Sequence, residues 1–506
     1  MIVAYRPSST PTKTDIIEAI YAAVREQQSQ SRSPECNPEQ ALTSKTETGP
    51  LAGSRAQFIS LSLPLAPVDL LAVWSDLQTD GHGFYCENPA GVEGIAASGC
   101  LVQWTGSGSD RFAQAQQVAE RWFRQIHSVG LAAQSASRIL CQFSFLDCPS
   151  ASGGPEDFGA AVPAATLFLP RWQVTQQGNV WRFTANFRLP EVDQIAGLDT
   201  ICATIWKRYT HLRYMAALPQ MEIPPLRSQV KPTLLPLSPL RRQQFLAGAT
   251  ALLQAINHRQ LTKAVLASAL DLPIDAPFSV AMALRRLRHS HSGCHIFATR
   301  CGEQTFLGAS PERLFRVRQQ QLWADAIAGS APRGMTASAD RRLGEALRRS
   351  SKERHEHRIV ADFILGQLRQ LGLRPSCSSQ PNLLRLANIQ HLYTAISAPI
   401  PAHVHPLQIV AKLHPTPAVA GLPQQAACRA IARHELFERS RYAGPLGWIG
   451  DGGDSEFIVA IRSALVDKDR MRLYAGAGIV QGSIPAKEWQ EVTTKLQAIA
   501  AVLPLP

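Results

Sequence analysis

EFIVAIRSALVD (456–467) and MRLYAGAGIV (471–480) read as two strands with a turn near Asp467-Lys468-Asp469, and PAKEWQEVTTKLQAIAAVL (485–503) then starts a helix, with Pro485 in its first turn. Two strands in succession followed by a helix break the regular strand–helix alternation of a parallel sheet. The same holds further upstream. From Phe58 (FISLSLPL) to about Leu240, short apolar runs are separated by turn residues, and RILCQFSFL and NVWRFTANFRL alternate enough to be strands. Between the first run and RILCQFSFL lies SDRFAQAQQVAERWFRQIH. Ser109 or Asp110 can cap this helix, and Phe112, Ala115, Ala119, Trp122, Phe123 and Ile126 supply its apolar stripe. Mixed strands and helices without regular alternation argue for an α+β fold with largely antiparallel sheets.

The flanking segments are plainer. Residues 14–25 read as a short helix, and residues 26–54, rich in Gln, Ser, Pro and Thr, as a mobile surface segment. A Pro-rich stretch from Pro224 to Leu240 is either a linker or a connection crossing one large domain. No internal repeat stands out. The chain has 506 residues, 45% of them hydrophobic and 18% charged, so it can bury a large core and is not disordered by composition. No run approaches the ~20 apolar residues that span a bilayer. MIVAYRPSSTPTKTD has no basic segment followed by an apolar run, so no secretory signal is expected. The ten cysteines form no CxxC pair, which fits reduced thiols in a cytoplasmic protein. The net charge of +12 suits an anionic small molecule or nucleic acid. Basic residues are dispersed apart from clusters such as Arg285-Arg286-Leu287-Arg288, and no nucleic-acid-binding signature accompanies them, so a nucleic-acid partner is not expected.

Four segments in the second half carry candidate chemistry. In TKAVLASALDL (262–272) a strand places Lys263 on one face with Val265, Ala267 and Ala269. Either its amine is desolvated and lowered toward the range of a general base, or it reaches past the strand end to water. In FLGASPERLFRV (306–317) Gly308, Ser310 and Pro311 give a bend, and Glu312 follows as a cleft acid or a surface turn residue. In SSKERHEHRIVADFIL (350–365) Ser350 or Ser351 can cap a helix, and Glu356 shares a face with Ile359, Val360 and Phe363. A carboxylate there needs a partner or a metal, or pairs at the helix edge with Lys352 or another base. His355 and His357 lie off that face. In the opening stretch Arg462 shares a strand face with Ile458 and Ala460, where an arginine meets a carboxylate or phosphate, while Gly476 and Gly478 permit close approach to the backbone. Glu488, Glu491 and Lys495 lie on one side of the last helix, although Glu491 and Lys495 are also an ordinary surface pair. There is no serine-hydrolase, HExxH, P-loop or dinucleotide-binding motif. GDGGDSE (450–456) is a turn without EF-hand spacing, and TGSGSD (105–110) is too generic for a phosphate site.

TKAVLA, FLGASPERL, AIAGSAPRG, SSKERHEH, NIQHLYT, HPTPAVAGLP, GPLGWIG, IVAIR, YAGAGIV and EWQEVTTK stand in order from about residue 245 to 500. Together they resemble the chorismate-utilising enzymes. The N-terminal half is similar, more loosely, to the longer quinone-type isochorismate synthases. The resemblance implies a large α+β fold of two stacked antiparallel sheets, a β sandwich flanked by helices. It divides the chain into residues 1–54, an N-terminal helix and mobile segment; 55–240, an N-terminal α+β region of the same large fold; and 241–506, the chorismate-binding catalytic region. It also implies roles. Lys263 activates water and Glu312 protonates the departing hydroxyl. Glu356 and Glu491 bind Mg2+ directly, and Glu488 binds it through water. Arg462, Lys495 and the backbone at Gly476 and Gly478 hold the carboxylates of chorismate, with Gly329 and His391 lining the pocket.

Single residues bear on the subclass. Family members that use ammonia resemble this chain but carry glutamine at the position of Lys263, and aminodeoxychorismate synthases carry a lysine at the position of Ala328. Lys263 with Ala328 points to water as the nucleophile. HPTPAVAGLP resembles isochorismate synthases rather than salicylate synthases, which go on to eliminate pyruvate. Ala420, often serine in siderophore-type relatives, points to menaquinone or phylloquinone biosynthesis. The alternatives are a salicylate synthase and a non-catalytic chorismate-binding protein. A monomer is the default oligomeric state.

Overall fold

The computed structural model describes residues 10–30, 58–77, 81–130, 137–147, 162–189, 196–218, 238–274, 278–386, 389–501 and 503. Its frame is one hydrogen-bonded strand network with two arms. The first arm runs, neighbour to neighbour, through Ile126–Gly130, Phe58–Leu65, Val180–Arg188, Ala165–Gln177, Glu93–Gly106, His82–Glu87, His295–Cys301, Gln304–Ser310, Ser463–Asp467, Arg470–Val480, Lys263–Pro273 and Gly421–Leu422. The second leaves from Ala165–Gln177 through Arg138–Phe143, Pro445–Gly450, Ser455–Val459, Arg313–Arg318, Gln321–Pro332 and Ile389–Pro399. The described pairings are antiparallel except that of Phe58–Leu65 with Ile126–Gly130. The expected two sheets are therefore joined. Ala165–Gln177 gives residues 165–168 to one arm and 172–177 to the other, and its partner Glu93–Gly106 shifts register between Cys100 and Val102. An extra residue of this kind bends a strand pair, which lets one pair serve both arms.

Alternation explains the layering. In Lys263–Pro273, Ala264, Leu266 and Leu270 join a core shared with the helices Pro239–Asn257, Val280–Ser290 and Pro485–Ala500, while Ala267 and Ala269 join the core that also holds second-arm residues such as Phe315 and Phe457. Both strand faces are buried, so the strand reads as a nearly unbroken apolar run. The helices Arg111–Gln125, Ser351–Gln370 and Pro406–Leu413 pack into the second core. No described helix is long and apolar enough to cross a membrane.

Several boundaries differ from expectation. The first helix runs Lys13–Gln30, so residues 26–30 are helical, and residues 31–54 lie outside the described residues. Ile126 belongs to a strand paired with Phe58 rather than to the preceding helix. The Pro-rich stretch ends in helix Pro239–Asn257, and residues 219–237 lie outside the description. Gly308 sits inside strand Gln304–Ser310 instead of at a bend, and a Cβ there would lie 2.6 Å from the carbonyl oxygen of Arg462, which accounts for the glycine. The largest difference is in the stretch quoted first. EFIVAIRSALVD is two strands, Ser455–Val459 in the second arm and Ser463–Asp467 in the first. Arg462 lies between them at φ +50°, so it shares no strand face with Ile458 and Ala460.

Candidate active site

That crossing puts Arg462 in a cavity of about 110 Å3. The cavity is also walled by strands Gln321–Pro332 and Arg470–Val480 and by helices Ser351–Gln370 and Pro485–Ala500. Ten of the eleven residues singled out from the sequence line it: Glu312, Gly329, Glu356, His391, Arg462, Gly476, Gly478, Glu488, Glu491 and Lys495. Lys263 lies behind its wall, with a side chain 0% exposed, and its Nζ donates to Glu356 Oε1 at 2.9 Å. It therefore does not reach water past its strand end.

The local structure explains these placements. Ser350 caps helix Ser351–Gln370, accepting from the Glu353 amide at 3.3 Å, and the helical period turns Lys352, Glu353 and Glu356 to the cavity. Gly329 sits at a register shift in Gln321–Pro332 with φ +76°, and a Cβ there would lie 3.0 Å from the Glu353 carbonyl oxygen. Gly478 is opposite Val265, and a Cβ on it would lie 2.5 Å from Glu356 Oε1 and 3.3 Å from Lys263 Cε. Glycine there leaves the ion pair its place without displacing Glu356.

Each cavity carboxylate has an electrostatic setting of its own. Burial pushes the Glu312 carboxyl up to about 8 despite the opposing Lys263 charge, and Asp325 adds to the rise. Glu312 is thus a carboxylic acid near neutrality, with Thr416 Oγ1 donating to Oε1 at 3.5 Å. Burial works to raise Glu491 as well, but the Lys495 ammonium, 2.7 Å from Oε1, wins and holds it low. Burial raises Glu488 against the pull of Lys352, whose Nζ is 3.1 Å from Oε1. Burial, and then Glu356, raise Glu353, whose Oε2 accepts the Ser330 amide at 3.1 Å. Burial and the Arg462 charge hold His391 neutral, and its Nε2 accepts from Arg462 Nη2 at 2.9 Å. Lys495 also donates to the Gly476 carbonyl at 2.8 Å. Among the described residues Arg462 has no carboxylate within ion-pair distance, and its Nη1 also approaches Cys294 Sγ at 4.0 Å.

Among the described residues no three His, Cys, Asp or Glu side chains form a ready-made metal cluster. The donor set still suits a hard cation. Glu356 and Glu491 offer carboxylate oxygens to one cavity, and Mg2+ takes one or two carboxylates and completes its shell with substrate and water. Glu488 and Glu353 add further anionic oxygen at the same place. Several further residues of the site are less visible in the sequence. Glu353 stands three before Glu356 on the same helix, and that spacing is the signal that could have found it. Ser330 and Thr416 lie inside the quoted strings AIAGSAPRG and HPTPAVAGLP. Asp325 and Tyr442 carry no local mark. Glu356 pairs with Lys263, a partner its own segment does not name, and not with Lys352, which goes to Glu488 and Glu353.

A neutral buried acid, a buried lysine, paired carboxylates and an arginine free of carboxylates around one small cavity define an acid–base enzyme for a small anionic substrate. The chain belongs to the chorismate binding enzyme family, whose model matches residues 43–504. Over 446 residues it is 33% identical to the salicylate biosynthesis isochorismate synthase of Pseudomonas aeruginosa, covering 87% of this chain and 88% of that protein. Its fold is similar to the menaquinone-specific isochorismate synthase of Escherichia coli, with a TM-score of 0.68 and 26% identity over 96% of this chain and 100% of that one. It is also similar in fold to anthranilate synthase component I of Streptococcus pneumoniae, with a TM-score of 0.54 at 16% identity, covering 98% and 100% of the two chains.

Proposed function

We propose that the chain is a Mg2+-dependent isochorismate synthase, interconverting chorismate and isochorismate. The observation that carries this reading is Glu312, a buried carboxyl pushed up to about 8 in the cavity that also presents Glu356 and Glu491. Water adds at one ring carbon while a hydroxyl leaves another. A proton passes from that water to Lys263 Nζ, and Glu312 gives its proton to the departing hydroxyl, so one water enters and one leaves. An acid whose pKa lies near the working pH is matched to that transfer.

Lys263 Nζ donates to Glu356 in this arrangement. Taking a proton from water requires Lys263 to be released from that partner and to have given up its own ammonium proton to solvent first, and Glu356 is one of the side chains assigned to the metal. Glu356 and Glu491 would hold Mg2+, Glu488 through water, where the ion offsets negative charge and fixes the ring. Arg462, Lys495 and the backbone at Gly476 and Gly478 receive the substrate carboxylates. Gly329 and His391 shape the wall, and neutral His391 fixes Arg462 without adding charge.

Two observations bear on where the product goes. Ala420, buried beside Lys263–Pro273, and the likeness to the menaquinone-specific fold support quinone biosynthesis. The relative named for salicylate biosynthesis favours a second reading, isochorismate made for salicylate. Purified protein with chorismate, assayed by chromatography with and without Mg2+, tests the activity. Isochorismate rising to an equilibrium with chorismate only with the metal supports it. Salicylate plus pyruvate moves the chain to the salicylate synthases, and no consumption of chorismate leaves a binding protein.

A further inference from the structure

Strand Lys263–Pro273 has an open edge. On one side it pairs along its whole length with Arg470–Val480, but on the other, among the described residues, only Lys263 and Ala264 meet a strand, the two-residue Gly421–Leu422. Beyond that point, unpaired edge groups have to find other partners. The Val265 amide donates to the Ala420 carbonyl at 2.7 Å. The Val265 carbonyl accepts from Arg439 Nη2 at 2.9 Å, and the Ala267 amide donates to Glu435 Oε1 at 2.7 Å. Side chains there do what a neighbouring strand would do.

The two side chains form one unit. Arg439 donates from Nε to Glu435 Oε2 at 2.8 Å and from Nη2 to Oε1 at 2.5 Å, and its Nη1 donates to the Val419 carbonyl at 2.7 Å. Their side chains are 3% and 2% exposed, and the guanidinium lies 4.2 Å from the Phe145 ring centre. With its bonds spread over Glu435, Val265 and Val419, the guanidinium is committed to holding the protein and does not serve as a substrate-binding cation. A lysine has neither the planar fork nor the donor count to replace it.

What it ties together is informative. Val265 belongs to the strand that carries Lys263, and Val265 and Val419 both line the cavity. Val419 follows Thr416, which accepts the Val419 and Ala420 amides on its carbonyl and donates its hydroxyl to Glu312. We infer that Arg439 and Glu435 are positioning residues, a buried clamp that completes the open edge at Val265–Ala267 and fixes the strand bearing Lys263 against the Thr416–Ala420 segment bearing the partner of Glu312. The kinetic half of this inference rests on the proposed isochorismate synthase activity, whereas the edge-closing half does not.

The test uses the whole chain. Arg439→Met alone leaves Glu435 buried without its partner, so the informative change is Arg439→Met with Glu435→Leu, which removes both charges and keeps apolar volume. Hydrogen exchange of the Val265–Ala267 amides is read without any substrate, and kcat and KM are read with chorismate and Mg2+. The clamp requires faster exchange confined to that strand edge, with kcat at least ~10-fold down and KM changed much less, as displacement of reacting groups by a fraction of an ångström gives. Arg439→Lys, which keeps the charge and can satisfy only part of the fork, is the second variant, with intermediate exchange and intermediate kcat expected. A folded double variant with unchanged exchange overturns the clamp. Faster exchange with unchanged kcat overturns its role in positioning. A wild type that protects these amides but does not turn over chorismate counts against the proposed function and leaves the edge closure standing.

Discussion

Gly478→Ala is the smallest change that strikes the centre of the site. A Cβ at residue 478 would lie 2.5 Å from Glu356 Oε1 and 3.3 Å from Lys263 Cε. An ordinary carbon–oxygen contact is ~3.4 Å, so Glu356 has to retreat by about 0.9 Å. The carboxyl end of a flexible side chain can make that move cheaply. Alanine also stiffens the unfolded strand segment, worth roughly 0.5–1 kcal/mol in favour of folding, against a strained Lys263–Glu356 hydrogen bond of similar size. Stability should therefore change by less than about 1 kcal/mol. Catalysis is far more sensitive. A misplacement of about 1 Å costs ~100-fold in rate, equivalent to about 2.7 kcal/mol of barrier. Isochorismate formation across a Mg2+ titration, with a thermal melt on the same sample, measures both. The expected result is a nearly unchanged melt, a kcat down by about two orders of magnitude and a raised Mg2+ requirement. Wild-type kcat at wild-type Mg2+ in a folded Gly478→Ala protein would refute the reasoning, because Glu356 would then need no fixed place beside Lys263.

Other changes act on single groups. Glu312→Gln should abolish turnover without unfolding, and in the wild type kcat should fall as pH rises through about 8, when the acid loses its proton. The stability effect has a definite sign: the folded pKa lies above the unfolded one, so stability is lost as pH rises from the normal carboxyl range to about 8, and Glu312→Gln should melt no lower than wild type at pH 8. Thr416→Val removes a hydrogen bond that lowers the Glu312 pKa, so the basic limb of the pH–rate profile should move upward; a downward shift would contradict the assigned contact. Lys263→Ala should abolish turnover while circular dichroism shows a folded chain, and normal rates would remove Lys263 from the mechanism.

The legibility of the site followed the range of the forces that build it. Lys263 and Glu356 were readable because strand alternation and the helical period are local, and the structure keeps Lys263 on the face of Ala267 and Ala269. The value of Glu312 was not readable from its own segment. A glutamate after Ser310-Pro311 reads equally as a surface turn residue, and only the tertiary burial that raises its pKa decides against that. The position of Arg462 is hidden for a related reason. EFIVAIRSALVD has an unbroken strand pattern, and a left-handed arginine leaves no glycine to mark it, so the crossing between the two arms is silent in sequence. The joint of the arms at Cys100 and Val102 is equally silent, because the bend follows from register with Ala165–Gln177. The resemblance supplied what spacing could not, namely which buried groups share a cavity.

The pairing pattern also says how the cavity fills. Glu356 is held by Lys263, Glu491 by Lys495 and Glu488 by Lys352, so each carboxylate assigned to the metal already has its own ammonium. A cation arriving alone competes with those lysines for the same oxygens, and a dianion arriving alone meets carboxylates as well as Arg462. Arriving together, a divalent cation and a substrate with two carboxylates add no net charge. Of the lysines released from the glutamates, Lys495 turns to the carboxylates of the substrate, and Lys263, once it has given its ammonium proton to solvent, faces the attacking water. Each ligand should therefore strengthen the other, and because linkage is reciprocal the factor must be the same in both directions. Calorimetric titration of Mg2+ with and without chorismate, in the turnover-deficient Glu312→Gln protein, measures one side, and titration of chorismate with and without Mg2+ measures the other. Equal factors well above one support exchange of partners within a pre-paired site. Independent binding would mean that the lysines stay on their glutamates, and the assignment of Glu356 and Glu491 to the metal would fall with it.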